Sequence, residues 1–152
     1  MDGCRPGLFD RLLGNHPGGR FLTQEQLKHS VAHDLEVLLN TRTALSQELL
    51  QGYPECARSV LNFGLSDFAG LSHSSSEDRS RICASVRQAI ERHEPRLRNV
   101  QVTLAQPAGV VNRIDIVIAG VLQGPGQQEA VSFNVALQPS SLHYSIKRGA
   151  IA

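Results

Sequence analysis

The spacing of apolar residues changes at Pro95, and that change limits the folds open to this chain. Upstream, Leu27, Val31, Leu35, Leu38 and Leu39 recur at helical spacing, as do Ile82, Val86, Ala89 and Ile90. Downstream the apolar residues alternate with polar ones. One set is Val100, Val102 and Leu104, a second Ile114, Ile116 and Ile118. A third is Val131, Phe133, Val135 and Leu137, and the last is Leu142, Tyr144 and Ile146. Turn residues at 107–109, 124–126 and 139–141 separate these strands. Helices followed by consecutive strands predict an α+β fold, with N-terminal helices packed on a C-terminal, mostly antiparallel four-stranded sheet.

Local signals place the helix ends. Thr23 with Gln26 three residues on is a capping box, opening a helix that runs to about Asn40. His29, His33, Glu36 and Asn40 lie on its polar side. Pro54 suits a first helical position and Gly64 a stop, so ECARSVLNF reads as a short, mostly buried helix. A further helix starts near Glu77, after a run of serines, and ends at His93. Ahead of all these, LFDRLL (8–13) sets Leu8, Phe9, Leu12 and Leu13 in one stripe. It is too short to persist alone and must dock on something. Gly14 and the HPGG run at 16–19 break it from the helix that opens at Thr23. The organisation expected is an N-terminal arm over 1–20, with one short amphipathic helix, and a single α+β domain over 21–152.

Composition narrows the function. The 152 residues are 41% hydrophobic, enough for one modest core. Fifteen basic against 14 acidic residues give a net charge of +1, which offers nucleic acid no electrostatic footing. No apolar run approaches the roughly 18 residues that span a bilayer, and the N-terminal sequence does not read as a secretory signal. Cys4, Cys56 and Cys83 form no close pair, which fits reduced thiols in the cytoplasm.

The motifs of chemistry are missing. His29 and His33 stand at i, i+4, but Ser-Val-Ala lies between them and spacing signals no third ligand, so no metal is expected. Glu91 and Glu94 could be a glycosidase pair, yet every soluble helix offers such pairs and the chain has no Trp to line a sugar cleft. Neither a nucleophile elbow nor a phosphate loop occurs. No catalytic residue and no cofactor is expected.

The unusual stretch is Arg92-His93-Glu94-Pro95-Arg96-Leu97-Arg98, where the last helix meets the first strand. Proline disfavours helical geometry at Glu94, so a rigid turn presents one carboxylate among several guanidiniums. Between 79 and 98 six arginines face two glutamates. Those cations could simply complement the helix dipole. Alternatively the turn is an interface plug, in which Glu94 and Arg96 each meet an opposite charge on a partner.

The run EPRLRNVQVTL (94–104) resembles the Glu-Pro-Arg motif of TssE, the type VI secretion baseplate subunit related to the sheath-initiating wedge protein of contractile phage tails. LFDRL (8–12), DLEVLLNTR (34–42), YPECARSVLNFGLSDFAG (53–70), SEDRSRI (76–82) and NRIDIVIAG (112–120) are similar in order and spacing. The resemblance implies a non-enzymatic structural component that links wedge subunits to the first ring of the contractile sheath. It also implies a cytoplasmic location, in a baseplate docked at the inner-membrane complex, with no membrane insertion. Its partners would be other wedge subunits and the sheath protein. The family's "lysozyme-like" label supplies the alternative, a peptidoglycan-cleaving hydrolase using Glu91 or Glu94.

Three contacts are expected on this reading. Arg92, Glu94, Pro95, Arg96, Leu97 and Arg98 form the wedge-facing junction, and Leu8, Phe9 and Leu12 a contact on the arm. The third is a sheet edge for the sheath, on the strand near 130–137, with Val131, Phe133 and Val135, or on the one near 142–148. Between 130 and 146 there is no charged residue, and the only proline is Pro139, so an edge here lacks the usual guards against strand addition.

Overall fold

Helix α2 (Gln24–Asn40) begins where the capping box places it. Thr23 Oγ1 accepts from the Gln26 amide at 3.3 Å, and Gln26 Oε1 accepts from the Thr23 amide at 2.9 Å. Its apolar stripe of Leu27, Val31, Leu35, Leu38 and Leu39 is buried, while His29 and His33 are exposed. The computed structural model describes residues 4–14, 21–68, 71, 75–105, 114–124, 126–138, 141 and 143–147. His16, His73, Arg113, Leu142 and the turn at 107–109 lie outside these.

Ahead of α2, helix α1 (Leu8–Leu13) follows an antiparallel bridge between Cys4 and Leu22, closed by a 2.7 Å bond from the Leu22 amide to the Cys4 carbonyl. After α2 come α3 (Gln47–Gln51), α4 (Pro54–Arg58), a 3-10 turn (Val60–Asn62) and α5 (Ser76–His93). The buried helix expected over ECARSVLNF is instead short and open, with Val60 81% and Leu61 60% exposed. Ser59 is the cause. Its hydroxyl donates to the Cys56 carbonyl and accepts from the Leu61 amide, so α4 stops after five residues and a new turn starts. Helix α3, capped by Ser46, is an element that periodicity did not predict. Gly64 marks a crossing. It sits at φ +119°, and a Cβ there would lie 2.5 Å from the Thr41 carbonyl oxygen, where Arg42 and Leu65 form a parallel bridge.

The strands are β1 (Leu97–Ala105), β2 (Ile114–Gln123), β3 (Gln128–Gln138) and β4 (His143–Ile146), all antiparallel in the order β1-β2-β3-β4. Val102 faces Ile118, which faces Phe133. The β1–β2 register slips between Arg98 and Gln101, where Asn99 takes φ +52°. Helix α5 packs on β1 and α2 on β4. Their inner faces join Leu97, Val100, Ile116, Ile118, Leu122, Val131, Phe133, Val135 and Tyr144 in one core. This is the α+β arrangement expected from the change at Pro95.

The strand order corrects one expectation. β3 lies between β2 and β4, and Val131, Phe133 and Val135 are 3%, 0% and 1% exposed. They are core residues rather than an edge offered to a partner. Period two marks which side chains point inward but carries no information about which strand ends a sheet. The outer strand at this end of the sheet is β4.

Candidate protein-interaction site

Helix α5 ends because Pro95 follows Glu94. Glu94 leaves helical geometry (φ −124°, ψ 79°) while its amide still bonds the Ile90 carbonyl at 2.8 Å. The turn closes through the Leu97 amide on the Glu94 carbonyl at 3.2 Å. The Glu94 side chain is thereby turned inward, where only 5% of it is exposed.

Arg96 meets it in a two-pronged fork. Nε donates to Oε1 at 2.7 Å and Nη2 to Oε2 at 2.6 Å, with the Arg96 amide adding a third bond to Oε1. The same guanidinium reaches helix α2, where Nη2 pairs with Asp34 and Nη1 donates to Ser30 Oγ at 3.1 Å. Ser30 in turn donates to Asp10 Oδ2 of α1 at 2.8 Å. One cation thus gathers carboxylates from three parts of the chain: Glu94 and Asp34 directly, and Asp10 through a hydroxyl. Burial works against the Arg96 charge, but the bonds and field of Glu94, then of Asp34, outweigh it and hold its pKa above the ordinary value. Asp34 is pushed up, by burial first, against the pull of Arg96 and with the added repulsion of Glu94 and Asp10.

This geometry corrects the picture of Glu94 and Arg96 as charges awaiting a partner. They satisfy each other within the chain, because the inward turn brings α2 within reach of the guanidinium. Leu97, also expected at the surface, is 2% exposed and belongs to the core. What the junction leaves outside is Pro95, Arg92 and Arg98. Sequence reasoning missed Asp10, Ser30 and Asp34. Ser30 and Asp34 share a face of α2 at i, i+4, but nothing in the sequence says that Arg96 faces it.

The arm is arranged unusually. Asp10 Oδ2 accepts from the Gly7 amide at 3.1 Å, capping α1, and also ties α1 to α2 through Ser30. Leu8, Phe9, Leu12 and Leu13 are 60%, 71%, 70% and 63% exposed, and no residue of α1 is buried. Helix α1 turns a polar side chain inward and its apolar stripe out.

A family model described as baseplate wedge protein gp25 matches residues 25–126. The chain belongs to that family. The matched span holds Ser30, Asp34, Glu94 and Arg96, and it leaves α1, β3 and β4 outside. No curated protein and no solved structure matches the chain. Membership in the wedge family agrees with the resemblance carried by the Glu-Pro-Arg run. It makes the chain a component of a contractile-tail baseplate.

The sheet edges of this wedge-family chain are pinned by side chains. Asn40, expected on the polar side of α2, reaches β4 instead. Its Oδ1 accepts from the Tyr144 amide and its Nδ2 donates to the Tyr144 carbonyl, both at 2.8 Å. At the other edge, Arg79 Nη2 donates to the Leu104 carbonyl at 3.1 Å. Among the described residues no group of three or more His, Cys, Asp or Glu side chains could hold a metal ion, and no helix is long and apolar enough to cross a membrane.

Proposed function

We propose that this chain is a non-enzymatic structural subunit of a type VI secretion baseplate, joining wedge subunits to the first ring of the contractile sheath on the cytoplasmic side of the inner-membrane complex. The family match over 25–126, which encloses the Glu-Pro-Arg junction, carries this reading. Wedge contact falls to the exposed stripe Leu8, Phe9 and Leu12 and to the outer junction residues Arg92, Pro95 and Arg98. Glu94 and Arg96 shape that surface from beneath. Sheath contact falls to the β4 side of the sheet, where an arriving strand would have to displace the Asn40 amide from Tyr144.

A hydrolytic role for Glu94 fits poorly with its surroundings. A general acid needs a free oxygen facing a substrate cleft, whereas both oxygens of Glu94 are held by Arg96. Co-purification with wedge and sheath subunits tests the reading, run beside a peptidoglycan zymogram of the wild type and Glu94→Gln. Retention in the wedge without a lytic band supports it. A lytic band that vanishes in Glu94→Gln would overturn it in favour of the hydrolase.

A further inference from the structure

Helix α5 carries a second, more polar stripe beside the one it buries. Ser85, Gln88, Ala89 and Arg92 recur at i, i+3, i+4 and i+7 and line one wall of a cleft of about 120 Å³. The other wall comes from the segment 43–66, with Gln47 of α3, Asn62 and Gly64. That wall is fixed from within the chain. At the crossing marked by Gly64, the Leu65 amide bonds the Thr41 carbonyl at 2.8 Å and the Thr43 amide bonds the Leu65 carbonyl at 3.0 Å. Buried Asn62 donates to the Ala57 carbonyl at 3.0 Å, and its own carbonyl lies 3.1 Å from Nε2 of His93 on α5. The cleft is therefore formed before anything enters it, so little ordering cost remains for a ligand to meet.

Charge and size limit what that ligand can be. Every residue lining the cleft is polar or small, none is acidic, and Arg92 alone is charged. Among the described residues no carboxylate pairs with Arg92, whereas Lys28, Arg81 and Arg96 each have one. A guanidinium among hydroxyls and amides suits a planar oxyanion, which it can meet with two parallel donors. The volume has room for a carboxylate and a few methylenes. It falls well below the roughly 300–1,000 Å³ of a pocket for a whole small-molecule ligand, so the carboxylate must be the tip of something larger. The chain on either side of the wall indicates what that is. Leu49 follows Gln47 by two residues, and Val60 and Leu61 directly precede Asn62; they are 55%, 81% and 60% exposed. A cationic seat with apolar side chains next to it in the chain complements an acidic residue flanked by aliphatic ones.

We propose that the cleft between α5 and the 43–66 segment is a peptide-docking site, in which Arg92 seats the carboxylate of an Asp or Glu side chain and Leu49, Val60 and Leu61 meet its aliphatic neighbours. The site stands without the wedge reading, since it specifies the chemistry of the segment and not the protein that carries it. Its test therefore uses the full chain and synthetic probes, with no baseplate protein present. Backbone and side-chain amide NMR follows the signals of Gln47, Ser85, Gln88 and Arg92. The probes are sodium acetate, sodium phosphate, the peptide acetyl-Ser-Leu-Glu-Leu-Ser-amide and the same peptide with Gln in place of Glu.

Acetate should shift these signals saturably, and the Glu peptide should bind about tenfold more tightly than acetate. Replacing Glu by Gln in the peptide, or Arg92→Gln in the protein, should each weaken peptide binding about tenfold. Arg92 is exposed and holds no partner in the fold, so Arg92→Gln should leave the rest of the spectrum in place. Arg98→Gln, which removes an exposed arginine outside the cleft, should bind as the wild type does. No saturable shift with acetate or the Glu peptide would overturn the site. An equal loss in Arg98→Gln would reduce it to general charge attraction and overturn it too. Phosphate binding more tightly than acetate would overturn the carboxylate assignment. A Glu peptide that binds no better than acetate would overturn the role of Leu49, Val60 and Leu61.

Discussion

At the scale of single residues, Arg96 holds the junction together. It is 23% exposed at the side chain and joins Glu94, Asp34 and Ser30, so its loss leaves the buried Glu94 carboxylate uncompensated. Breaking such a pair costs about 3–5 kcal/mol, and the partial exposure of Arg96 points to the lower end. Arg96→Met should therefore shift the urea midpoint far below that of Arg58→Ala, an exposed arginine expected to stay within about 0.5 kcal/mol of wild type. Glu94→Gln should cost less than Arg96→Met, because Asp34 still pairs with the guanidinium. The junction is thus structural in the monomer, unlike the interface plug in which Glu94 and Arg96 each meet an opposite charge on a partner.

His93 adds a dependence on pH. Burial holds its pKa below the ordinary 6.5, assisted by Arg92 and opposed by the Asn62 carbonyl 3.1 Å from Nε2. The unfolded chain takes up this proton before the folded one does. Stability should therefore fall as the pH drops from 6.5 towards the lowered folded value and level off below it. His93→Gln should abolish that part of the slope, measured as urea midpoints at a series of pH values.

At the scale of elements, the outer strand is the informative one. β4 is four residues long and carries no lysine or proline, yet its edge is not bare. The Asn40 amide occupies both backbone groups of Tyr144, as a neighbouring strand would. Asn40→Ala should speed hydrogen exchange at the Tyr144 amide and open the edge to strand addition. The second effect is read as a concentration-dependent dimer in sedimentation, and a monomer at every concentration would remove Asn40 as a guard. Placing proline at Val135 would be no test of the edge. That residue pairs with Ile116 on one side and Ile146 on the other, so the change would break the interior of the sheet.

At the scale of the molecule, Lys28 ties the helical layer to the sheet. It is buried on α2 and meets Glu129 of β3 at 2.6 Å and Glu25 at 3.1 Å. The bonds to Glu129 and then Glu25 raise its pKa above 10.5 against the cost of burial, and the same contact lowers that of Glu129 below 4.5. The Lys28 share of stability is full below pH 10.5 and lost as the pH rises through its raised value. The Glu129 share is full above pH 4.5 and lost as the pH falls through its lowered value. Glu129→Gln should flatten both limbs of the stability profile, measured by denaturant titration.

The sequence by itself determined the α+β class, the capping box at Thr23, the end of α5 at Pro95 and the inward faces of the strands. Each of these is set by sterics and periodicity within a few neighbouring residues. Its Glu-Pro-Arg run also pointed to the wedge family. Tertiary structure alone decided that β3 is interior, that Asn40 closes the β4 edge, and that Glu94 and Arg96 answer each other and Asp34. It also decided that α1 faces outward from Asp10. These outcomes depend on which elements meet across the fold, and the Arg96–Asp34 pair spans 62 positions of chain. A local pattern records which face of an element is apolar, but the neighbour that face meets is set only when the whole core packs.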